Sequence, residues 1–220
     1  MSSSHRYAEL TIAGESCQII GYCHWHPERK RIEQFIAQRF FAAHGAHVHQ
    51  FMPLLVALEN AAGEVLAVAG VRSAQQEPLF LEHYLNAPVE RVIASRQPVD
   101  CRRQDVVEVG NLAAVKPGYG RYLFAALTDL LTAWNFRWLP CTGITGVVNE
   151  LRRLGINPLC VAPALPDRIP GGVADWGNYY DKQPQVMVGE IEQGRQRVEQ
   201  CGLLRACSYQ RLEHRDVLSA

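Results

Sequence analysis

The chain has 220 residues, enough for one large domain or one domain with an appended segment. Hydrophobic residues make up 48% and charged residues 20%, which predicts a packed core and excludes intrinsic disorder. The formal net charge of zero gives no general pull toward nucleic acid or an anionic bilayer. No apolar run approaches the ~20 residues of a membrane span, so no stable membrane insertion is expected.

The opening MSSSHRYAELTIAGESCQII lacks a basic segment followed by an apolar core, so it does not read as a secretory signal. The seven cysteines have irregular spacing and no C-x-x-C. They are expected to be reduced thiols in a cytoplasmic protein.

In chain order, AELTI and CQII around AGES predict a first hairpin. A helix follows from Pro27 to about His44, with Ile32, Phe35, Ile36, Arg39 and Phe40 at helical spacing. PLLVALENAAGEVLAVAGVR carries two apolar runs around Asn60-Ala61-Ala62-Gly63, a strong hairpin signal. PLFLEHYL reads as a short helix with Pro78 in its first turn. DVVEVGNLAAV is the next strand. A glycine turn leads into a helix from about Arg121 to Trp134, with Leu123, Leu127, Leu130 and Trp134 as its apolar stripe. WLPCTGIT is a strand, VVNELRRLGI a short helix ending at Gly155, and PLCVAPA a strand. ALPDRIPGGVADWGNYYDKQP is rich in turn formers and predicts a long loop, a common seat of function. QVMVGEI gives a last strand and EQGRQRVEQCG a last helix. Alternation of strands and helices in the second half implies a parallel pair, so the sheet should be mixed.

The turn in EVGNLAAVKPGYGRYLF carries the first candidate chemistry. Neither the P-loop pattern nor a complete G-x-G-x-x-G is present. Gly118 and Gly120 would let a backbone approach a ligand, free N–H groups at the helix start favour an anion, and Lys116 and Arg121 add positive charge. A tight turn with a solvated Arg121 explains the same residues equally well.

Strand, glycine turn and long apolar helix after an antiparallel hairpin resemble the GNAT superfamily of acyl-CoA N-acyltransferases. VVEVGNLA, with LFLEHYL upstream and DWGNYYDKQP downstream, is similar to the thermostable hemolysin family, itself GNAT-like and related in architecture to acyl-homoserine-lactone synthases. The resemblance covers roughly residues 25–200. It implies an α/β (α+β) fold: a mixed, mostly antiparallel sheet with a central splayed parallel pair and helices on both faces. Residues 1–24 would form a hairpin packed on this domain, and residues 201–220 a tail.

It also implies N-acyl transfer from coenzyme A or acyl-phosphopantetheine on an acyl carrier protein to a small amine, without a metal. The donor would run along Asn111, Leu112, Ala113 and Val115 to Lys116, Gly118, Tyr119, Gly120 and Arg121. Two family positions differ. Val115 stands where GNAT enzymes usually have Gln or Arg, and Leu151 where they commonly carry the tyrosine that protonates the leaving thiolate. These departures point to a carrier-borne or long-chain donor. The rival readings are a membrane-damaging hemolysin acting directly on lipid and a catalytically inactive ligand-binding GNAT fold. A homodimer is left open.

Several residues carry paired readings. Glu108 lies in an apolar strand, where a carboxylate needs a partner. It is either the group that holds and deprotonates the amine or half of a salt bridge to Arg72. Gly110 offers close approach or a bulge. Asn111, alternating to the opposite face from Glu108, either binds an acyl carbonyl or caps a backbone group. Tyr179 and Tyr180 are candidate general acids or interface aromatics, and Trp176 is an acyl-chain wall or loop packing. Arg72 and Cys141 join Trp176 as candidate substrate contacts, although Cys141 fits a small core residue better. Cys23, His24 and His26, and His44, His47 and His49, match no common zinc spacing and suit a polar rim.

Overall fold

The structure, a computed structural model, describes residues 5–97 and 99–212. Strands β1 (His5–Ile12) and β2 (Glu15–Tyr22) form the first hairpin. Its two turn residues, Ala13 and Gly14, have φ of 52° and 86°. Two positive φ values give a turn whose twist matches that of the strands.

Helix α1 (Arg29–His44) buries Ile32 and Ile36 against the sheet and ends at Gly45 in the left-handed conformation. Arg29 is buried and donates to the carbonyls of Tyr22, Met52 and Pro53, which ties the helix to the start of β3 (Leu54–Asn60). Strand β4 (Val65–Ser73) returns through a turn in which the Asn60 side chain accepts the N–H groups of Ala62 and Glu64.

The segment PLFLEHYL forms a 3-10 helix over Phe80–Tyr84. Helix α2 (Val89–Arg96) after it has no counterpart in the sequence reading. It is short and buries only Val89 and Ile93, too little apolar pattern to register. Then come β5 (Val107–Ala114), α3 (Tyr119–Ala133), β6 (Trp138–Gly143), α4 (Thr145–Arg153) and β7 (Leu159–Pro163). Residues 164–184 form the long loop, with short 3-10 turns. Last come β8 (Gln185–Glu190), α5 (Ile191–Cys201), α6 (Leu203–Ala206) and β9 (Gln210–Arg211).

Among the described residues all nine strands belong to one sheet, in the order β7-β8-β6-β5-β4-β3-β2-β1-β9. The first hairpin is continuous with it, because β2 pairs with β3. The C-terminal segment crosses back, and β9 pairs with β1. Residues 213–220 of the expected tail lie outside the described residues.

Every neighbouring strand pair is antiparallel except β5 and β6. That pair is joined at Val109–Cys141, preceded by a bridge at Val106–Trp138, and then parts. The expected splay is therefore present. Side chains alternate along β5: Val107 and Val109 join the core under α3, while Glu108 faces the 3-10 helix at Phe80–Tyr84. Helices α3 to α6 cover the first face; α1, α2 and the long loop cover the second.

Candidate active site

Where β5 and β6 separate, the sheet has a gap with a cavity on each side. On the α1 face lies a cavity of about 450 Å³ whose lining includes Arg39, Arg72, Glu108, Asn111, Trp176 and Tyr179. On the α3 face, a smaller space of about 140 Å³ lies beside Gly120 at the start of α3 and Gly146 at the start of α4. Leu112, Ala113, Ala114 and Val147 line both, so the two cavities meet at the splay.

Glu108 is 2% exposed and lines the larger cavity. Its carboxylate accepts the backbone N–H groups of Phe80 at 2.8 Å and Leu81 at 3.0 Å. The turn presenting these donors is itself pinned. The Glu82 carboxylate accepts the N–H groups of Leu79 and Val89 and is paired with Arg103 at 2.7 Å. Burial, the largest influence, lifts the Glu108 carboxyl to about 7. The two N–H groups and the Arg72 charge pull the other way, and Glu82 adds to the rise.

The salt-bridge alternative is not what the geometry shows. Arg72 and Glu108 are cross-strand neighbours, yet among the described residues Arg72 pairs with Glu77 at 3.5 Å and donates to the Pro78 carbonyl. That ion pair runs through its Nε, which is buried and makes no hydrogen bond.

Asn111 corrects the expected alternation. The β4–β5 register shifts between Gly70–Gly110 and Val68–Ala113, which leaves Asn111 and Leu112 opposite Ala69. Asn111 takes a φ of 46°, tolerated by Asn better than by most side chains. The bulge turns its side chain onto the Glu108 face, where Oδ1 accepts the Met52 N–H at 2.9 Å and Nδ2 reaches the Gln50 carbonyl at 3.3 Å. It thus caps the backbone entering β3, as one of its two readings proposed. Gly110 stays open for a related reason: a Cβ there would meet the Met52 Cε at 2.5 Å.

The long loop closes the larger cavity. Trp176 packs on Phe80 with ring centroids 6.0 Å apart and on Tyr179 at 5.5 Å. Tyr179 lines the cavity, and burial raises its phenol pKa, so it holds its proton at neutral pH. Tyr180 does not line it; its hydroxyl pairs with that of Tyr84 at 2.6 Å, which ties the loop to the 3-10 helix. Of the two tyrosines, only Tyr179 is placed to meet a ligand. Four further bonds hold the loop to the end of α1: His47 N–H to the Asp175 carbonyl, Asn178 N–H to the His44 carbonyl, and Lys182 Nζ to the Ala43 carbonyl and His44 Nδ1.

At the glycine turn, Gly118 has φ of 101° and precedes the first turn of α3. A Cβ at Gly120 would meet no heavy atom within 4 Å, so packing does not require glycine there. Lys116 lies 5.2 Å from the Tyr119 ring, and Arg121 Nε is buried without a partner. Of Val115, Lys116, Gly118, Tyr119, Gly120 and Arg121, only Gly120 borders either cavity. The Val115 N–H continues the sheet to Leu66, and its side chain points outward.

Cys141 is corrected as a substrate contact. It is 2% exposed, borders neither cavity, and burial pushes its thiol up to about 12. Leu151 is a core residue of α4 packed with Phe124 and Ala125. Sequence reasoning missed Arg39 and Thr142 as lining residues. His44, His47 and His49 also line the cavity, although they read as a rim. Arg39 had a signal: it occupied a position on the apolar stripe of α1. Among the described residues, no group of three His, Cys, Asp or Glu side chains is arranged to hold a metal.

A splayed parallel pair in such a sheet, with a helix entered by a glycine turn beside it, defines the fold shared with acyl-transferring synthases. TofI in an apo form aligns with TM-score 0.57 at 14% identity, over 83% of this chain and 96% of its own. BjaI, a CoA-dependent acyl-homoserine lactone synthase with SAM and isopentyl-CoA, aligns with TM-score 0.55 at 11% identity, over 89% and 88%. FeeM, an N-acyl amino acid synthase from uncultured soil microbes, aligns with TM-score 0.54 at 13% identity, over 93% and 97%. No curated protein matches the chain in sequence. Residues 23–195 match the thermostable hemolysin family, and the chain belongs to that family.

Proposed function

We propose that the protein is an N-acyltransferase that moves an acyl group from a CoA or acyl-carrier thioester to the amine of a small molecule or amino acid derivative. The observation that carries this reading is the pair of cavities joined through the β5–β6 splay, with Glu108 on one side and the start of α3 on the other. In it, the donor's phosphate end lies against Gly120 and the N–H groups of the first turn of α3. The pantetheine arm passes Leu112 to Ala114, and the thioester carbonyl reaches the larger cavity.

The amine enters beside Glu108, whose ionised carboxylate receives a proton from the ammonium. A carboxyl near 7 suits that task at neutral pH, because both protonation states are populated. The amine nitrogen attacks the thioester carbon, the C–S bond breaks, and the amide forms. Tyr179, holding its phenolic proton, supplies the proton to the departing thiolate and recovers one from the nitrogen, which gives up its second proton as the amide forms. Much of the rate enhancement comes from holding the two reactants together in a site shielded from water.

The test combines purified protein with acyl-CoA and acyl-carrier donors and a pool of amines and amino acids, following thiol release and product mass. Amide formation with at least one donor is expected. Thiol release with none of them, together with lysis of lipid vesicles by the protein alone, refutes the enzyme reading.

A further inference from the structure

The guanidinium of Arg39 poses a problem of desolvation. It lies on the face of α1 that carries the buried Ile32 and Ile36, one helical turn beyond Ile36, and it lines the larger cavity. Its Nε is buried without a hydrogen-bond partner, and among the described residues no carboxylate is within ion-pair distance. Arg39 is half-buried, but its buried Nε faces the helix–sheet interface unfilled, and a guanidinium cannot shed its charge, so this donor is costly to leave unmatched. Arg72, on the floor of the same cavity, makes no hydrogen bond at its buried Nε, though that atom lies 3.5 Å from the Glu77 carboxylate and the guanidinium donates to the Pro78 carbonyl. Two arginines from two elements therefore border one space, and of the two Arg39 has no carboxylate partner among the described residues.

The carboxylates lining that space do not satisfy them. Glu108 accepts the N–H groups of Phe80 and Leu81 and, among the described residues, forms no ion pair with either arginine. Asp175 is exposed in the loop and forms no ion pair among the described residues. An anionic ligand would satisfy Arg39 and give Arg72 a second anionic partner beside Glu77. The splay and the start of α3, where a donor phosphate is expected, are shared with or belong to the α3-face cavity, whereas Arg39 and Arg72 border only the α1-face one. The acceptor is therefore the better source of the charge.

We infer that the acceptor amine carries its own carboxylate, as a free α-amino acid does, and that Arg39 and Arg72 receive that carboxylate while Glu108 faces the ammonium. The inference rests on the acyltransferase reading for the role of Glu108. Arg72 and Glu108 sit directly across the β4–β5 ladder, where side chains start about 5 Å apart. That spacing suits a ligand whose two charges are separated by a single carbon. Because a guanidinium matches a carboxylate in shape, an acceptor without one leaves Arg39 unpaired and should bind poorly.

The experiment compares free amino acids with the amines made by removing their carboxylate, using the full chain and one saturating donor. The wild-type protein should favour the amino acid by about 10- to 100-fold in kcat/KM, through acceptor KM. In Arg39→Gln the preference should collapse toward one, with donor KM unchanged, and Arg39→Lys should recover part of it. A wild-type ratio near one overturns the inference, as does a ratio that survives in both Arg39→Gln and Arg72→Gln. An effect confined to donor KM overturns it by assigning Arg39 to the donor's phosphate. If no amine is acylated at all, the acyltransferase reading fails. Calorimetric titration of wild-type protein and Arg39→Gln with the amino acid and its decarboxylated amine then decides the carboxylate site separately. Tighter binding of the amino acid, lost in the variant, supports it, and equal binding refutes it.

Discussion

Replacing Glu108 with Gln removes one titrating group from the floor of the cavity and has a consequence for stability separate from catalysis. Folding raises this carboxyl from an ordinary value of 4.5 to about 7. Between those values the native state holds a proton that the unfolded chain has released. Stability therefore falls as pH rises: the contribution is fully present below about 4.5 and is lost as pH passes through about 7. A shift of this size is worth about 3 kcal/mol. The Gln variant has no such slope. It retains an acceptor for one of the two N–H groups from Phe80 and Leu81 and loses the other, at about 1–3 kcal/mol. Chemical denaturation at intervals from pH 4.5 to 8.5 should show the variant gaining on the wild type by about 3 kcal/mol across the window. Near pH 8 the two should be close to equal.

The same substitution acts on rate in the opposite sense. Wild-type kcat/KM should rise through pH 7 as the carboxyl ionises and becomes able to accept a proton. Glu108→Gln should lie about 10²- to 10⁴-fold lower and lack that rise. Parallel stability curves for the two proteins refute the raised pKa. An unchanged rate refutes the role of Glu108 with the amine, and leaves the residue as an anchor for the Phe80–Tyr84 turn.

Four other substitutions separate the parts of the site. Gly120→Asp places a carboxylate in open space near the start of α3, where it favours the helix by about 0.5 kcal/mol yet repels a phosphate. Unfolding midpoints should hold or rise while donor KM increases at least tenfold, and an unchanged donor KM removes the phosphate from this turn. Tyr179→Phe should lower kcat about 100-fold with little change in acceptor KM, whereas Tyr180→Phe should lose only about 1 kcal/mol through its bond to Tyr84; equal kinetic effects contradict this division. Gly177→Ala should detach the loop from α1, because a Cβ there overlaps the His44 carbonyl oxygen. Limited proteolysis should then cut within residues 164–184, and a cleavage pattern like the wild type's would show that the loop yields without release.

Much of this site was legible because it depends on residues that are out of place in their local pattern. Glu108 is an acid in an apolar strand, and the structure gives it buried N–H donors and a cavity edge. Gly118 sits at a positive φ that the turn requires. Arg39 was visible in the same way, a cation on an apolar stripe, but helical spacing alone does not say whether such a residue reaches solvent or a cavity. Asn111 was assigned to the wrong face because strict alternation assumes an unbroken ladder. One additional residue in β5 reverses the parity of everything after it, and no turn former announces it beyond Gly110. The reach of residues 164–184 over α1 was also hidden, since its bonds join positions more than a hundred residues apart.

The two family positions that this chain lacks are better understood from their surroundings than from the missing residues. Leu151 lies in a closed apolar cluster with Phe124, Ala125 and Val198, so a phenol there would need rebuilding of the α3–α4–α5 contact. A proton source on that helix is thus excluded by packing, and in the proposed reaction it must come across the splay from the other face. Tyr179 meets this requirement: it borders the cavity shared by Ala113 and Glu108 and keeps its proton at neutral pH. Its position depends on the loop's attachment to α1. On this reasoning, loosening the loop should impair thiolate protonation before it impairs donor binding, since the start of α3 lies on the opposite face and makes no use of the loop. Gly177→Ala should therefore reduce kcat while leaving donor KM within about twofold, and the loss should shrink for donors whose leaving thiol is more acidic. A variant that loses donor affinity first would show instead that the loop belongs to the donor site.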